Sequence, residues 1–337
     1  MYITIRRHLK QWFYHTPLIW RSIEAIQGLA YLADYYYYYK LPGHQHRLSV
    51  REINIEFASQ CNLRCRFCSL DHFKPKQVIA ADTLERFFQQ FIQDDRFRKV
   101  EVINLHNGGE ILLHPKRMEM LAIIKKYKDQ AAQQQLKFPE IRMLTNAMLL
   151  REQLSADIIA MKVIDVIGVS FDGGTPELFE QMRTNAVWSR FYENVRAFRR
   201  INDEQAHTVK MYAITCIPEG KPLHTQWMHP EFRELYKLMD WFELRRLHNW
   251  AGEISTVQPR RKWHKIGCSM LMKQMVLLPN GDITVCCSDL NSKGVVGNVM
   301  QQDIVSIYKS RERMNYLERL LKGRKSELAL CSNCETF

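Results

Sequence analysis

Between Ser49 and His248 the chain repeats one unit, a short strand followed by a helix, and this repetition constrains the fold more than any other feature. Residues 52–58 alternate apolar and polar side chains as a half-buried strand does. Segments 100–106, 140–145, 163–172, 209–217 and 242–248 read as five more strands. Helical periodicity occupies 83–92, 118–128, 177–200 and 232–238. Successive strands joined through helices by short connections must run parallel, so an α/β fold with a helix-covered parallel sheet is expected. Six steps are too few for a closed eight-stranded barrel. The expectation is a partial (β/α)6 TIM-like barrel.

Two segments of different texture flank this repeat. Residues 1–48 form a preface in which Pro17, Leu18, Ile19, Ile23, Ile26 and Leu29 mark an amphipathic helix with a permitted early proline. It runs into five tyrosines, Tyr35 to Tyr39, and stops at Leu41-Pro42-Gly43. Trp12, Phe13, Tyr14 and Trp20 beside Arg6, Arg7, Lys10 and Arg21 suit a membrane interface. Packing across the outside of the next domain is the preferred alternative. Beyond Trp250 the repeat ends, and a boundary is expected near residue 255. This gives a core at 49–255 and a small domain at 256–337. In the latter, Asn280-Gly281 between apolar runs signals a hairpin, and 304–321 reads as a helix.

The chain has nine cysteines in 337 residues, an odd number, and no secretory signal is evident at its start. Cluster or metal ligation in a reducing cytoplasm is therefore expected over disulfides. A net charge of +12 suits an anionic partner without choosing one. No RNP, KH or basic–aromatic motif points to nucleic acid, and none is expected as a partner. No stretch reaches the roughly 18–20 apolar residues of a membrane span.

Cys61, Cys65 and Cys68 follow directly on the first strand. Three thiolates this close can hold a cubane iron–sulfur cluster and leave its fourth iron open, whereas zinc usually takes a fourth protein ligand. This CxxxCxxC, with Phe67 before the last cysteine, resembles the radical S-adenosylmethionine (SAM) superfamily. The resemblance extends over roughly 50–250. Gly108-Gly109-Glu110 at the end of the second strand is similar to the family's GGE, implying that backbone groups and the acidic side chain hold the amino group of SAM. Thr145-Asn146-Ala147 resembles TNG with alanine in place of glycine. Ser170-Phe171-Asp172-Gly173 resembles SxDG, whose polar side chains contact SAM, and Arg183 stands where relatives bind its carboxylate.

Cys268, Cys286 or Cys287, Cys331 and Cys334 form a second set, able to close a further cluster or a zinc ribbon. With the Leu278–Cys286 hairpin text and Gly297-Asn298 they resemble the Twitch extension, a shortened SPASM domain, and that pattern selects Cys286. The resemblance implies a radical SAM barrel with a C-terminal Twitch/SPASM-like extension, binding SAM and two [4Fe–4S] clusters, one of them auxiliary. It implies an electron donor such as flavodoxin or ferredoxin. The spacing is similar to that of the family's cyclitol dehydrogenases, so oxidation of a sugar, cyclitol or other small polar molecule leads. Peptide maturation, a lipid-linked substrate, and epimerisation with Cys216 as hydrogen donor are rivals; Cys216 reads first as a packing residue. The non-enzyme alternatives are an electron carrier and a zinc-dependent nucleic-acid binder. The expected location is cytoplasmic, with residues 1–40 as a candidate contact to the inner face of the membrane.

Overall fold

The computed structural model describes residues 17–44, 46–254 and 267–334. Trp12, Phe13, Tyr14, Arg6, Arg7 and Lys10 lie outside these residues, as does the boundary at 255/256.

Helix α1 (Pro17–Tyr35) precedes the sheet. Strands β1 (Glu52–Ile55), β2 (Val102–Asn104), β3 (Glu140–Thr145), β4 (Val166–Ser170), β5 (Lys210–Ile217) and β6 (Trp241–Arg246) then lie side by side in chain order, every neighbouring pair parallel. The connections carry α2 (Ala81–Gln93), α3 (Arg117–Gln133), α4 (Glu152–Ala160), α5 (Pro176–Met182), α6 (Trp188–Glu204) and α7 (Pro230–Lys237). Strand alternation sets the layers: Ile53, Ile55, Ile103, Ile141, Met143, Ile167 and Val169 pack into the core shared with the helices. Glu52, Asn54, Asn104 and Arg142 alternate with them and face the other way, onto the inner face.

Two local expectations are corrected, and one helix was not expected. Helix α4 went unread in the sequence, because it buries only Ser155, Ile158 and Ile159, too few to establish a period. The single helix expected over 177–200 is two. Between α5 and α6 the chain extends so that Arg183 and Thr184 pair antiparallel with Cys65 and Arg64, and Asn185 then turns through φ 74°. The helix expected over 304–321 also divides, into α9 (Ile304–Tyr308) and α10 (Arg311–Leu321), where Ser310 Oγ accepts from Arg313 N at 3.2 Å as an N-cap. Between β6 and α9 lie α8 (Ser269–Lys273) and three further strands, β7 (Gln274–Leu277), β8 (Asp282–Thr284) and β9 (Val295–Asn298).

The hairpin expected at Asn280-Gly281 joins β7 to β8, and β9 pairs with β8. Strand β7 runs parallel to β1, with Glu52 opposite Gln274. One nine-stranded sheet, in the order β9-β8-β7-β1-β2-β3-β4-β5-β6, therefore carries both the six-step repeat and the C-terminal cysteines.

The preface packs on the C-terminal segment. Tyr31 Oη donates to Leu317 O at 3.1 Å, Tyr35 Oη to Glu318 Oε1 at 3.2 Å, and Lys273 pairs with Asp34 at 2.8 Å. Arg313, 2% exposed, donates to Tyr39 Oη at 2.8 Å and to Leu271 O at 2.7 Å, with its guanidinium 3.6 Å from the Tyr308 ring centroid. Of the tyrosine run that a membrane-interface reading would place in lipid headgroups, Tyr35 and Tyr38 are buried and Tyr36 is exposed. No helix among the described residues is long and apolar enough to cross a membrane.

Candidate cluster and cofactor site

The loops at the carboxyl ends of β1 to β6 converge, as the open edges of parallel α/β sheets do. The cysteine loop leaves β1 and is clamped from two sides. Its Arg64–Cys65 segment forms the ladder with Arg183–Thr184, and Arg66 N donates to Met182 O at 3.0 Å. From the other side Trp250 Nε1 donates to Phe67 O at 2.7 Å. Cys61, Cys65 and Cys68 are free thiols, and all three line one hollow of about 350 Å³ together with Asn107, Gly108, Gly109 and Trp250. Burial pushes the Cys61 and Cys65 thiols up to about 11 and raises Cys68 as well; Glu110 adds to the effect at Cys61. Ligation must therefore displace protons. Several groups favour the thiolate form. Leu63 N donates to Cys61 Sγ at 3.4 Å, Asn146 Nδ2 approaches the same sulfur at 3.7 Å, and the Arg183 charge lies near all three. Three soft donors around one hollow, whose remaining lining includes Leu63, Leu70, His72, Asn107 and Trp250, fit a cubane cluster that keeps one iron open. Among the described residues no three His, Cys, Asp or Glu groups are close enough to share a single metal ion.

Glu110 is not among the residues that line the hollow. Its carboxylate is fully buried and accepts from Leu112 N at 3.2 Å, Thr145 Oγ1 at 2.7 Å and Asn146 N at 2.8 Å. It pins the end of β3 to the loop after β2, and the hollow is lined by Asn107, Gly108 and Gly109 instead. Asn107 Oδ1 is buried with no hydrogen-bond partner, and such an atom is costly until a donor reaches it. An ammonium group in the hollow supplies that donor, so the residues present fit the amino end of SAM. Beneath them lies Glu56, 1% exposed, whose Oε2 accepts from Gly108 N at 2.7 Å and Asn107 Nδ2 at 3.3 Å. Burial holds its carboxyl above the usual range. Sequence reading missed Glu56; its signal was a carboxylate on the inner face of the first strand, just before the cysteines.

Gly109 has φ 71°, and a Cβ there would collide with the Ala58 carbonyl oxygen. Gly109→Ala is expected to destabilise the protein by more than about 2 kcal/mol, because backbone rather than a flexible side chain must move. A denaturant midpoint unchanged from wild type would show that the loop is not held here. Ala147, where relatives carry glycine, sits at φ 59°, which accounts for the family preference.

Asp172 and Arg183 are paired with each other. Arg183 Nε donates to Asp172 Oδ2 at 2.7 Å, with its second nitrogen at 2.5 Å from the same oxygen, and Asp172 Oδ1 accepts from Cys216 N at 2.5 Å. Burial alone would lower the guanidinium pKa; Asp172, then Cys65, hold it raised and charged. The guanidinium also lies 5.8 Å from the Phe67 ring centroid. Through the Arg183–Cys65 ladder and the Phe67 contact, this pair also holds the cysteine loop. Cys216, at the end of β5, has its thiol pushed up by burial and by Asp172. Ser170 ends β4, half-buried, beside Ile214 of β5.

The inner face of β4 to β6 carries polar groups that no motif marks. Glu243 is hydrogen-bonded to Arg245 Nε at 2.9 Å. The Tyr212 ring fills the space a side chain at Gly168 would need and stacks on Trp241 with centroids 5.2 Å apart. Period-two alternation on β5 and β6 would have found them, since Tyr212, Cys216, Trp241, Glu243 and Arg245 share one face.

In the second set, the Cys331 thiol is raised by burial and then by Cys268, Cys286 and Cys334; Cys287 is not among the causes. The same four pack against one core. Ser288 N donates to Cys286 Sγ at 3.4 Å. Asn249, beside Trp250, donates to Asn333 O at 3.0 Å, so one turn after β6 touches both cysteine sets.

A model of the radical SAM superfamily matches residues 55–219, and a model of the SPASM iron–sulfur cluster-binding domain matches 268–335. The antilisterial bacteriocin subtilosin biosynthesis protein AlbA of Bacillus subtilis (strain 168) is 25% identical over 130 residues, 38% of this chain. The match spans only 25% of that relative. Among solved structures, BtrN in complex with AdoMet and 2-DOIA superposes with a TM-score of 0.59 at 17% identity, over 86% of this chain and 94% of that one. For anSMEcpe with bound AdoMet the score is 0.61 at 14% identity, over 85% of each chain. Streptococcus suis SuiB bound to precursor peptide SuiA gives 0.54 at 14%, over 86% and 72%. At these identities the likeness shows the fold, a partial TIM-like barrel.

Proposed function

Because this chain belongs to the radical SAM superfamily and carries a SPASM iron–sulfur domain, we propose that it oxidises a small polar molecule, such as a sugar or cyclitol, at an unactivated carbon. It is an enzyme whose cofactors are SAM and two [4Fe–4S] clusters. When bound, they supply a 5′-deoxyadenosyl radical able to take a hydrogen atom from such a carbon. In this reading Cys61, Cys65 and Cys68 hold the SAM-binding cluster, and Cys268, Cys286, Cys331 and Cys334 the auxiliary one. Asn107 Oδ1 and the backbone of Gly108 and Gly109 receive the amino end of SAM. Residues 49–255 and 256–337 form the core and the auxiliary domain.

The inner face carries the choice of substrate. Ser170 and Arg245 lie toward the carboxyl ends of β4 and β6, and Tyr212 and Glu243 share their face farther back along β5 and β6. A charged pair and a phenol suit hydroxyl or amino groups on a compact ring, because buried polar groups reject partners that leave them unpaired. Incubating reconstituted enzyme with a panel of cyclitols and amino sugars tests this. The expected product is two hydrogens lighter and forms in step with 5′-deoxyadenosine. Turnover of peptides alone would replace this reading with peptide modification, which the AlbA match favours.

Cys216→Ala is expected to retain turnover, with a stability cost of about 1–2 kcal/mol or less. A hydrogen donor would behave otherwise. Solvent deuterium at one inverted carbon, lost in Cys216→Ala, would convert the assignment to epimerisation.

A further inference from the structure

One buried carboxylate beneath the hollow takes no part in holding the cluster. Glu56 directly follows β1, and its amide donates to Leu277 O at 2.9 Å, which ties it to β7 as well. Its Oε2 takes two donors from the loop after β2, Gly108 N at 2.7 Å and Asn107 Nδ2 at 3.3 Å. The approach needs a glycine, since a Cβ on residue 108 would stand 2.9 Å from that same oxygen. Burial raises the carboxyl, and Lys74 and the two donors act against it. A side-chain amide can face either way, and its neighbours choose which end points where. An ionised carboxylate only accepts, so Glu56 holds the Nδ2 end of Asn107 and leaves Oδ1 as the end without a partner. Asn107 lines the hollow beside the three thiols.

We propose that Glu56 is a positioning residue for SAM: by fixing the Asn107 amide it presents an acceptor to the amino group, and so gives the hollow its preference for a ligand that carries one. The inference rests on the placement of the amino end of SAM at Asn107, Gly108 and Gly109, and it adds a residue that acts only through them. An ammonium brings N–H donors and a positive charge, so an oxygen attracts it and an amide NH2 in the same place repels it. The orientation of one side chain thus sets the sign of the contact. A ligand without the amino group leaves Oδ1 unpaired, which is the physical basis of the discrimination.

Binding is read without turnover. The reconstituted full chain, its clusters left oxidised, is titrated with SAM and with the analogue of SAM that lacks the amino group, and each Kd is referred to the iron-loaded fraction. The ratio of the two affinities is the readout, because a residue that merely supports the loop changes both alike. In Glu56→Met, similar in length but without the carboxylate acceptor, the preference for SAM is expected to fall about tenfold. Asn107→Leu should lose as much, and the double variant no more than either, since both remove one path. Glu56→Gln, which retains an acceptor oxygen, should stay within about twofold of wild type. An unchanged ratio in Glu56→Met overturns the proposal, as do losses that add in the double variant. A loss in Glu56→Gln equal to that in Glu56→Met assigns the effect to charge and overturns it too. Where Glu56→Met does not load iron, Glu56→Asp draws the acceptor back by one methylene and carries the same comparison and the same outcomes. Equal binding of SAM and its analogue by wild type removes the placement of the amino end, and the positioning with it.

Discussion

Replacing Cys61, Cys65 and Cys68 together with alanine is expected to lower the iron content of anaerobically reconstituted protein from about eight to about four atoms, and to abolish SAM cleavage. The physical case is that the three thiols share one hollow with the unpartnered Asn107 Oδ1. The other four cysteines are held apart from them at the N-cap of α8, after β8 and at the C-terminal turn. Loss should therefore be confined to one cluster, leaving the absorbance of the auxiliary set in place. The activity loss should be complete, because without a cluster nothing orients or reduces SAM. Continued release of 5′-deoxyadenosine by the triple variant would remove the central claim. Loss of all eight irons would show instead that the two sets assemble as a unit, a coupling for which the Trp250–Phe67 and Asn249–Asn333 contacts supply a route.

Arg183→Ala is expected to cost about 3–5 kcal/mol, among the largest single-residue effects in this protein. The side chain is 8% exposed and its partner 1%. Removing the guanidinium leaves the Asp172 carboxylate buried with the Cys216 amide and thiol as its remaining donors. The same residue forms the ladder with Cys65, so loosening should reach the cysteine loop and lower cluster loading as well. Denaturant unfolding of the cluster-free chain gives the stability, and iron analysis gives the loading. The companion Asp172→Asn/Arg183→Met variant keeps an acceptor for the Cys216 amide and buries no charge. It should recover a substantial part of the loss, as expected when the penalty is an unpaired ion rather than lost packing. A cost under about 1 kcal/mol for Arg183→Ala would mean that water reaches Asp172 and that the pair does not hold the loop.

The sequence by itself determined the elements and the chemistry they carry. Period-two alternation marked the first strand and short apolar runs the other five, because the side-chain direction of a strand is a local property of successive residues. Cys61, Cys65 and Cys68 marked a candidate cluster site through their spacing and the family resemblance it carries, and Asn280-Gly281 its hairpin through turn chemistry. Tertiary structure decided what meets what. The helix pattern of 177–200 continues through Arg183, yet pairing with Cys65 and a buried ion pair with Asp172 outweigh one more turn of helix there. Nothing local in Gln274–Leu277 states that it will lie beside β1. Glu110 carries the signature of a ligand-binding acid, but three donors from β3 and its own loop claim it. Glu56, Trp250 and Tyr212 became site residues only when the sheet brought their faces together. The physical reason is common to all of these. A residue's periodicity and backbone preference are set by its immediate neighbours, whereas the partner of a buried polar group is chosen among distant segments by the cost of leaving that group unpaired.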